Sequence, residues 1–274
     1  MPFNALENLT SEGFLLLNIS ENAQEKIRAI FDAAPLFFQE DFEQKILNRL
    51  PEDMGYRPYG IEDSRSPSYP DQVESFSVSA REHTRTWKLH SANAQILLKL
   101  MLDAFGIFES SAEAIAKELA NALGSRSAAE KLNGAFHRWS RLQINYSRPK
   151  DVVPPLINEL HEDGDLLTIT CVTAPGLEVQ IKKRRFKPII PTPGELLVMP
   201  GEIAWLLSGG RVRPLNHRVK TCPQISERMA LIFFGDIDPG CCEPWIINEI
   251  NSNVDIGARV LVSVNRFGLK GFSL

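Results

Sequence analysis

Three side chains able to hold a metal stand out: His161 and Asp163, separated by one residue, and His217, 56 residues after the first histidine. At the end of an extended strand, residues i and i+2 project to the same side, so His161 and Asp163 can address one point in space. Glu162, between them, points the other way and is not expected to ligate. His217 opens another strand-like run, His217-Arg218-Val219-Lys220-Thr221, which a β-structure folding back can carry to the first pair. Two imidazoles and one carboxylate fill half an octahedron and leave the other half open. That donor set suits a non-haem Fe(II) centre that must also take substrate-derived oxygens and dioxygen. A His-x-Asp triplet alone is weak, because such pairs are more often structural; its surroundings sharpen it.

Arg228 is a fourth side chain of interest, as an anion-binding group and not a metal ligand. It lies 11 residues after His217 and heads the apolar run Met229-Ala230-Leu231-Ile232-Phe233-Phe234. A cation buried on such a strand is costly without an anion opposite it. Its planar fork matches a carboxylate. The blander alternative has the stem packed on the core and the head in solvent.

Positioning these groups requires a β-rich second half. Strand-like segments fall at 139–147, 166–173, 177–182, 186–190, 195–199, 217–222 and 228–235, broken by turns such as Pro193-Gly194, and predict a sandwich or barrel. Upstream, residues 10–20 read as a short strand. A helix capped by Ser20 follows, with Ala23, Ile27, Ile30, Phe31 and Ala34 on one face and its end at Pro35. A second helix covers Gln39 to Asn48, and 51–72 reads as an irregular loop carrying Arg57, Tyr59, Arg65 and Tyr69. Two further helices are expected at 92–105 and 111–123, the latter capped by Ser111 and ended by Gly124. Past Gly235, a short helix near Trp245–Ile250 and a late strand at Val260–Val264 are expected.

In order, His161-Glu162-Asp163 leading into Leu167-Thr168, Gly176-Leu177-Glu178-Val179, the run from Pro191 to Val198, Gly201-Glu202, Ser208-Gly209-Gly210-Arg211, His217-Arg218-Val219 and Arg228 resemble the iron/2-oxoglutarate oxygenase family, in its isopenicillin N synthase-like branch. Gly13-Phe14, Gly55-Tyr56 and Glu74-Ser75-Phe76 are similar to that family's N-terminal part. The resemblance implies a mainly β fold with α: a double-stranded β-helix (jelly-roll) core with N-terminal helices packed around it. The implied division is a helical or mixed region at 1–124, the catalytic core at 125–235, and a tail at 236–274 covering the core. It also implies Fe(II), in preference to zinc, on His161, Asp163 and His217, with 2-oxoglutarate as co-substrate gripped at its distal carboxylate by Arg228.

Two positions depart from the family pattern. Ala230 stands where a Ser usually follows the Arg, and Ser147 replaces the second Tyr of an Asn-Tyr-Tyr segment. Asn145 and Tyr146 remain as candidates to compensate, ordinary strand packing being the alternative for each. Arg141, Gln143 and Asn145 share one side of their strand, facing either the cavity, which would favour a carboxylated or amino-acid-like substrate, or solvent.

The implied activity is oxidation of an unactivated C–H bond, coupled to decarboxylation of 2-oxoglutarate to succinate and CO2. Hydroxylation is the default outcome, with desaturation or ring closure within the family's range. The partners would be dioxygen and a small molecule such as an amino acid, peptide or natural-product intermediate. The first alternative is an oxidase like isopenicillin N synthase, which takes all its electrons from substrate; a non-catalytic binding protein on the same barrel is another.

Bulk properties narrow the field. A chain of 274 residues can bury a large core. Its net charge of −4 and pI near 5.8 give no basic field to attract nucleic acid or anionic membrane. No stretch approaches the roughly 20 apolar residues of a spanning helix, and the N-terminus lacks a basic segment leading an apolar core. Cys171, Cys222, Cys241 and Cys242 form no Cys-x-x-Cys pair and read as reduced thiols of a cytoplasmic protein.

Overall fold

The computed structural model describes residues 4–64, 68, 70–81, 87–148, 155–182 and 185–266. The chain opens with a short helix, α1 (Ala5–Ser11), an edge strand, β1 (Leu15–Asn18), and helix α2 (Glu21–Phe38). The Ser20 hydroxyl accepts the Ala23 N–H at 3.3 Å and closes the first turn of α2. The helix does not stop at Pro35 as predicted. The proline falls in the last turn, and burial of Phe37 and Phe38 carries the helix past it. Helix α3 (Phe42–Ile46) and strands β2 (Gly55–Arg57) and β3 (Glu74–Ser79) follow.

Helix α4 (Ala92–Ala122) is one element of 31 residues where the sequence suggested two. Ser111 lies inside it and donates to the Ile107 carbonyl at 2.8 Å instead of capping a new helix. The buried stripe of Leu97, Met101, Phe108, Ile115 and Leu119 keeps its period across the supposed break, so packing carries the helix through. A short α5 (Arg126–Lys131) leads into the β-rich half.

That half contains β4 (Arg141–Ser147), β5 (Leu156–His161), β6 (Leu167–Val172), β7 (Leu177–Lys182), β8 (Arg185–Pro188) and β9 (Glu195–Pro200). Helix α6 (Glu202–Leu207), β10 (His217–Lys220), β11 (Arg228–Gly235) and helix α7 (Ile256–Arg266) complete it. Two predictions fail at the C-terminal end. Residues 245–250 form no regular helix, and the strand expected at Val260–Val264 is part of α7. Ile256, Val260 and Val264 are buried at a spacing of four, so the helical period wins over the β-branched composition.

The strands form two antiparallel sheets, a major one in the order β1-β9-β6-β11-β4-β3-β2 and a minor one in the order β5-β10-β7-β8. Facing each other, they make the double-stranded β-helix, or jelly roll, with strands from the N-terminal region completing the major sheet at both edges. Alternation sorts β11. Met229, Leu231 and Phe233 turn outward to the helices, where Phe233 stacks on Phe108 with ring centroids 6.0 Å apart. Arg228, Ala230, Ile232 and Phe234 turn inward, toward a cavity between the sheets. A second, smaller core that includes Ile157, Leu177, Val179, Leu197, Leu215 and Val219 holds the sheets together. Among the described residues, no helix is long and apolar enough to cross a membrane.

Candidate metal centre and its cavity

The antiparallel pairing of β5 with β10 places His161 directly opposite His217. Fifty-six residues of chain thus close to one cross-strand pair, with ring centroids 4.3 Å apart. Asp163 follows two residues past the end of β5. Its Oδ1 lies 3.5 Å from His161 Nε2 and its Oδ2 lies 3.8 Å from His217 Nε2. One ligand atom from each of the three falls within 4.8 Å of the others, and they are the one such metal-competent group among the described residues.

The ring tautomers are fixed from behind. His161 Nδ1 lies 2.7 Å from the Glu159 carbonyl oxygen and His217 Nδ1 lies 2.9 Å from that of Leu215. A carbonyl can only accept, so each Nδ1 carries the proton and each Nε2 turns a lone pair to the common point. The carboxylate is held likewise: Thr168, on β6, donates its hydroxyl to Asp163 Oδ2, and the threonine Oγ1 also lies 3.1 and 3.2 Å from the carboxylate oxygens of Asp165. Metal–ligand bonds near 2 Å put neighbouring ligand atoms about 3 Å apart, so small side-chain movements close this triad onto an ion. The N, N, O donor set and the half-open geometry fit a non-haem Fe(II).

Charge follows from the same packing. Burial would raise the Asp163 carboxyl pKa, but His217, His161 and the Thr168 hydroxyl together hold it below the ordinary carboxylate range. Burial lowers the His161 pKa, and the adjacent Asp163 more than reverses this, so the net shift is upward. In His217 burial and the neighbouring His161 prevail, and its pKa is lowered. Asp165 and Asp236, both buried behind the triad, are pushed up by burial, Asp236 to about 7.

A cavity of about 410 Å³ extends from the triad between the sheets. Its inner wall carries Thr170, Val172, Met199, Ala230 and Ile232, and its mouth is bordered by Arg259, Val262 and Ser263 of α7. Arg228 faces this cavity at only 7% exposure. Its Nε donates to the Pro175 carbonyl at 3.2 Å, and no carboxylate among the described residues pairs with the guanidinium. Burial lowers its pKa from 12.5 to about 10. Gly176 makes room here, because at φ +131° a Cβ would lie 2.7 Å from the Lys220 carbonyl and 3.5 Å from Arg228 Nε.

The remaining sequence candidates divide. Asn145 lines the cavity, opposite Ala230 in the β4–β11 register. Tyr146 points the other way: it stacks on Phe38 with centroids 4.8 Å apart and donates its hydroxyl to Glu227, outside the cavity lining. Of the face shared by Arg141, Gln143 and Asn145, the last two reach the cavity. Arg141 is buried with its guanidinium 4.8 Å from the Phe234 ring centre. Arg57 lines the cavity, while Arg65 and Tyr69 lie outside the described residues. His137 pairs with Glu109, far from the triad in sequence and absent from the cavity. The four cysteines form no disulfide. Sequence reasoning missed Thr168, Asp165 and Asp71; the compact run His161-Glu162-Asp163-Gly164-Asp165-Leu166-Leu167-Thr168 held the only signal for the first two.

The fold and site define a double-stranded β-helix metalloprotein with a two-histidine, one-carboxylate facial triad and a buried arginine in the same cavity. Residues 139–236, which hold all four groups, match the sequence model of the 2OG-Fe(II) oxygenase superfamily. Over that segment the chain is similar to the superfamily, whose name carries Fe(II) and 2-oxoglutarate, and the His161, Asp163 and His217 triad within it is a donor set that fits Fe(II).

Solved structures agree on the fold. A full-length Neurospora crassa protein in complex with alpha-KG aligns with a TM-score of 0.76 at 17% identity, covering 97% of this chain and 89% of that one. A 2OG-Fe(II) oxygenase family protein of Caulobacter crescentus gives a TM-score of 0.73 at 17% identity, over 95% and 92%. AtDAO1, the dioxygenase for auxin oxidation of Arabidopsis thaliana in complex with 2-oxoglutarate, gives 0.63 at 22% identity, over 85% and 88%. No curated protein sequence matches the chain.

Proposed function

We propose that this oxygenase is a dioxygenase that hydroxylates a small-molecule substrate, using Fe(II) on His161, Asp163 and His217 and 2-oxoglutarate anchored by Arg228. Fe(II) so held, supplied with 2-oxoglutarate and dioxygen, provides a two-electron oxidation. One oxygen atom enters a substrate C–H bond and the other enters succinate, with loss of CO2. The chain's own groups do the rest. Glu159 and Leu215 keep the imidazoles in the Nε2-ligating tautomer, and Thr168 holds Asp163 toward the ion. Val172, Ile232 and Met199 wall off water beside it.

One observation carries the reading: a cavity-facing guanidinium, almost wholly buried, with no carboxylate partner among the described residues. It supplies the fork that the distal carboxylate of 2-oxoglutarate requires. The same fork would serve a substrate carboxylate in an isopenicillin N synthase-like oxidase, so the charge-transfer band and succinate described below separate the two readings. Ala230 adds no hydroxyl to the carboxylate, but Asn145, across the strand pair, accepts from Gln143 at 2.6 Å and keeps its own amide N–H groups available. The Neurospora crassa protein is also solved with thymine bound, and AtDAO1 is named for auxin oxidation; both support a substrate of that general size.

Anaerobic addition of 2-oxoglutarate to the Fe(II)-loaded protein tests this. The visible charge-transfer band of the chelated keto acid is expected in the wild type and lost in Arg228→Met at the same concentration. Turnover of a substrate with no such band and no succinate would establish the oxidase instead.

A further inference from the structure

The cavity lining includes a group of acidic residues, one of which has a carboxylate oxygen with no hydrogen-bond partner among the described residues. Glu62, Asp63 and Asp71, from the segment joining β2 to β3, form this group. This segment is fixed to the metal-bearing strand: Gln72 N–H donates to the Ile157 carbonyl on β5 at 2.8 Å, and Asp71 N–H to the Glu62 carbonyl at 2.9 Å. Glu62 is well supplied, accepting from Gln143 Nε2 at 2.9 Å and from the Ser75 hydroxyl, with Arg57 Nε at 3.7 Å.

Asp71 is not. Its Oδ2 accepts from Ser64 at 2.6 Å, and the Asn158 amide donates to that same serine at 3.3 Å. Its Oδ1 is buried without a hydrogen-bond partner among the described residues, in a residue only 5% exposed that lines the cavity. Buried carboxylate oxygens are rarely left so. Burial raises the carboxyl pKa, although Ser64, Asn158 and the nearby His161 pull the other way. Of the cavity's arginines, Arg259 pairs with Glu202 and Arg228 serves the co-substrate in the reading above, while Arg57 lies 3.7 Å from Glu62 with its Nε making no hydrogen bond among the described residues. Asp71 therefore offers an acceptor to a donor.

Resting on the oxygenase reading, we propose that Asp71 is a substrate-recognition residue, and that the substrate presents an N–H donor to its Oδ1 while the C–H to be oxidised faces the triad. The donor is an ammonium group or a neutral ring or amide N–H. Both satisfy the orphaned oxygen, and the ammonium also cancels its charge.

The test uses the Fe(II)-loaded protein with 2-oxoglutarate under anaerobic conditions and matched probes. These are primary alkylamines against the corresponding alkanols and alkanoates, and lactams and pyrimidinediones against their N-methylated forms, each titrated by thermal shift and ligand-observed NMR. Binding is expected to concentrate in the N–H members. Asp71→Asn is expected to weaken ammonium probes roughly tenfold or more and neutral N–H probes by less, because the amide oxygen still accepts. That ratio is read within one variant, so a general loss of stability cancels, and it tells the two donor sources apart. Alkanoates or alkanols binding best, charged and neutral probes weakening alike in Asp71→Asn, or no N–H probe binding while 2-oxoglutarate binds would each overturn the assignment. Failure of 2-oxoglutarate itself to bind strikes instead at the oxygenase reading, and the assignment falls with it.

Discussion

Replacing Arg228 with Met should move stability and co-substrate affinity in opposite directions. Burial brings the guanidinium pKa from 12.5 down to about 10. At about 1.36 kcal/mol per pKa unit, the charged form costs the metal-free fold up to roughly 3 kcal/mol. The folded pKa is depressed below the unfolded one, so this penalty is present in full at every pH well below 10 and disappears only in strong base. The substitution also removes the Nε–Pro175 hydrogen bond, worth about 1 kcal/mol. The metal-free variant is therefore expected to be about 2 kcal/mol more stable in urea denaturation, by an amount constant from pH 6 to 8. Truncating one partner of a buried charge pair costs about 2–5 kcal/mol of binding, so 2-oxoglutarate affinity should fall by roughly 30- to several-thousand-fold in anaerobic calorimetry. A structural role for the arginine makes the reverse prediction. A variant less stable than its parent that binds 2-oxoglutarate as tightly would refute the reasoning.

Thr168→Val keeps the shape of the side chain and removes its hydroxyl from Asp163, and is expected to lower Fe(II) affinity about 10- to 100-fold in chelator competition while leaving the circular dichroism unchanged. Asp236 binds its proton more tightly folded than unfolded, because burial lifts its pKa from 3.8 to about 7. Its contribution to stability is complete below about pH 4 and is lost as pH rises through 7, a ceiling of about 4 kcal/mol. Asp236→Asn should therefore raise the Tm of the metal-free protein more at pH 8 than at pH 5; an equal shift at both would show that this carboxyl titrates normally. Phe233→Ala, which empties the contact with Phe105 and Phe108, should cost about 3–5 kcal/mol in urea denaturation.

The triad was legible in the sequence because its chemistry is local at one end and carried by a recognisable order of segments at the other. His161 and Asp163 needed only a strand end, and His217 only the expectation of a fold-back, which the β5–β10 register supplies. Tyr146 was misjudged for a reason the same alternation explains: Asn145 faces the cavity, so its neighbour must face the helices. Helix α4 was split in two because Ser111 reads as a cap until packing shows its stripe continuing. The β-branched run in α7 imitates a strand over five residues, too few to tell one period from the other. Asp71 could not be found at all. Its significance is an empty place beside one oxygen atom, a property of the folded cavity that no spacing encodes.

The central claim is that His161, Asp163 and His217 hold an iron at which 2-oxoglutarate is consumed. Succinate released from 2-oxoglutarate in air, measured against added Fe(II), tests it most directly. Release should track bound iron to one equivalent per chain and vanish in a folded His217→Ala protein. Undiminished release from that variant, or from the metal-stripped wild type, would contradict the account.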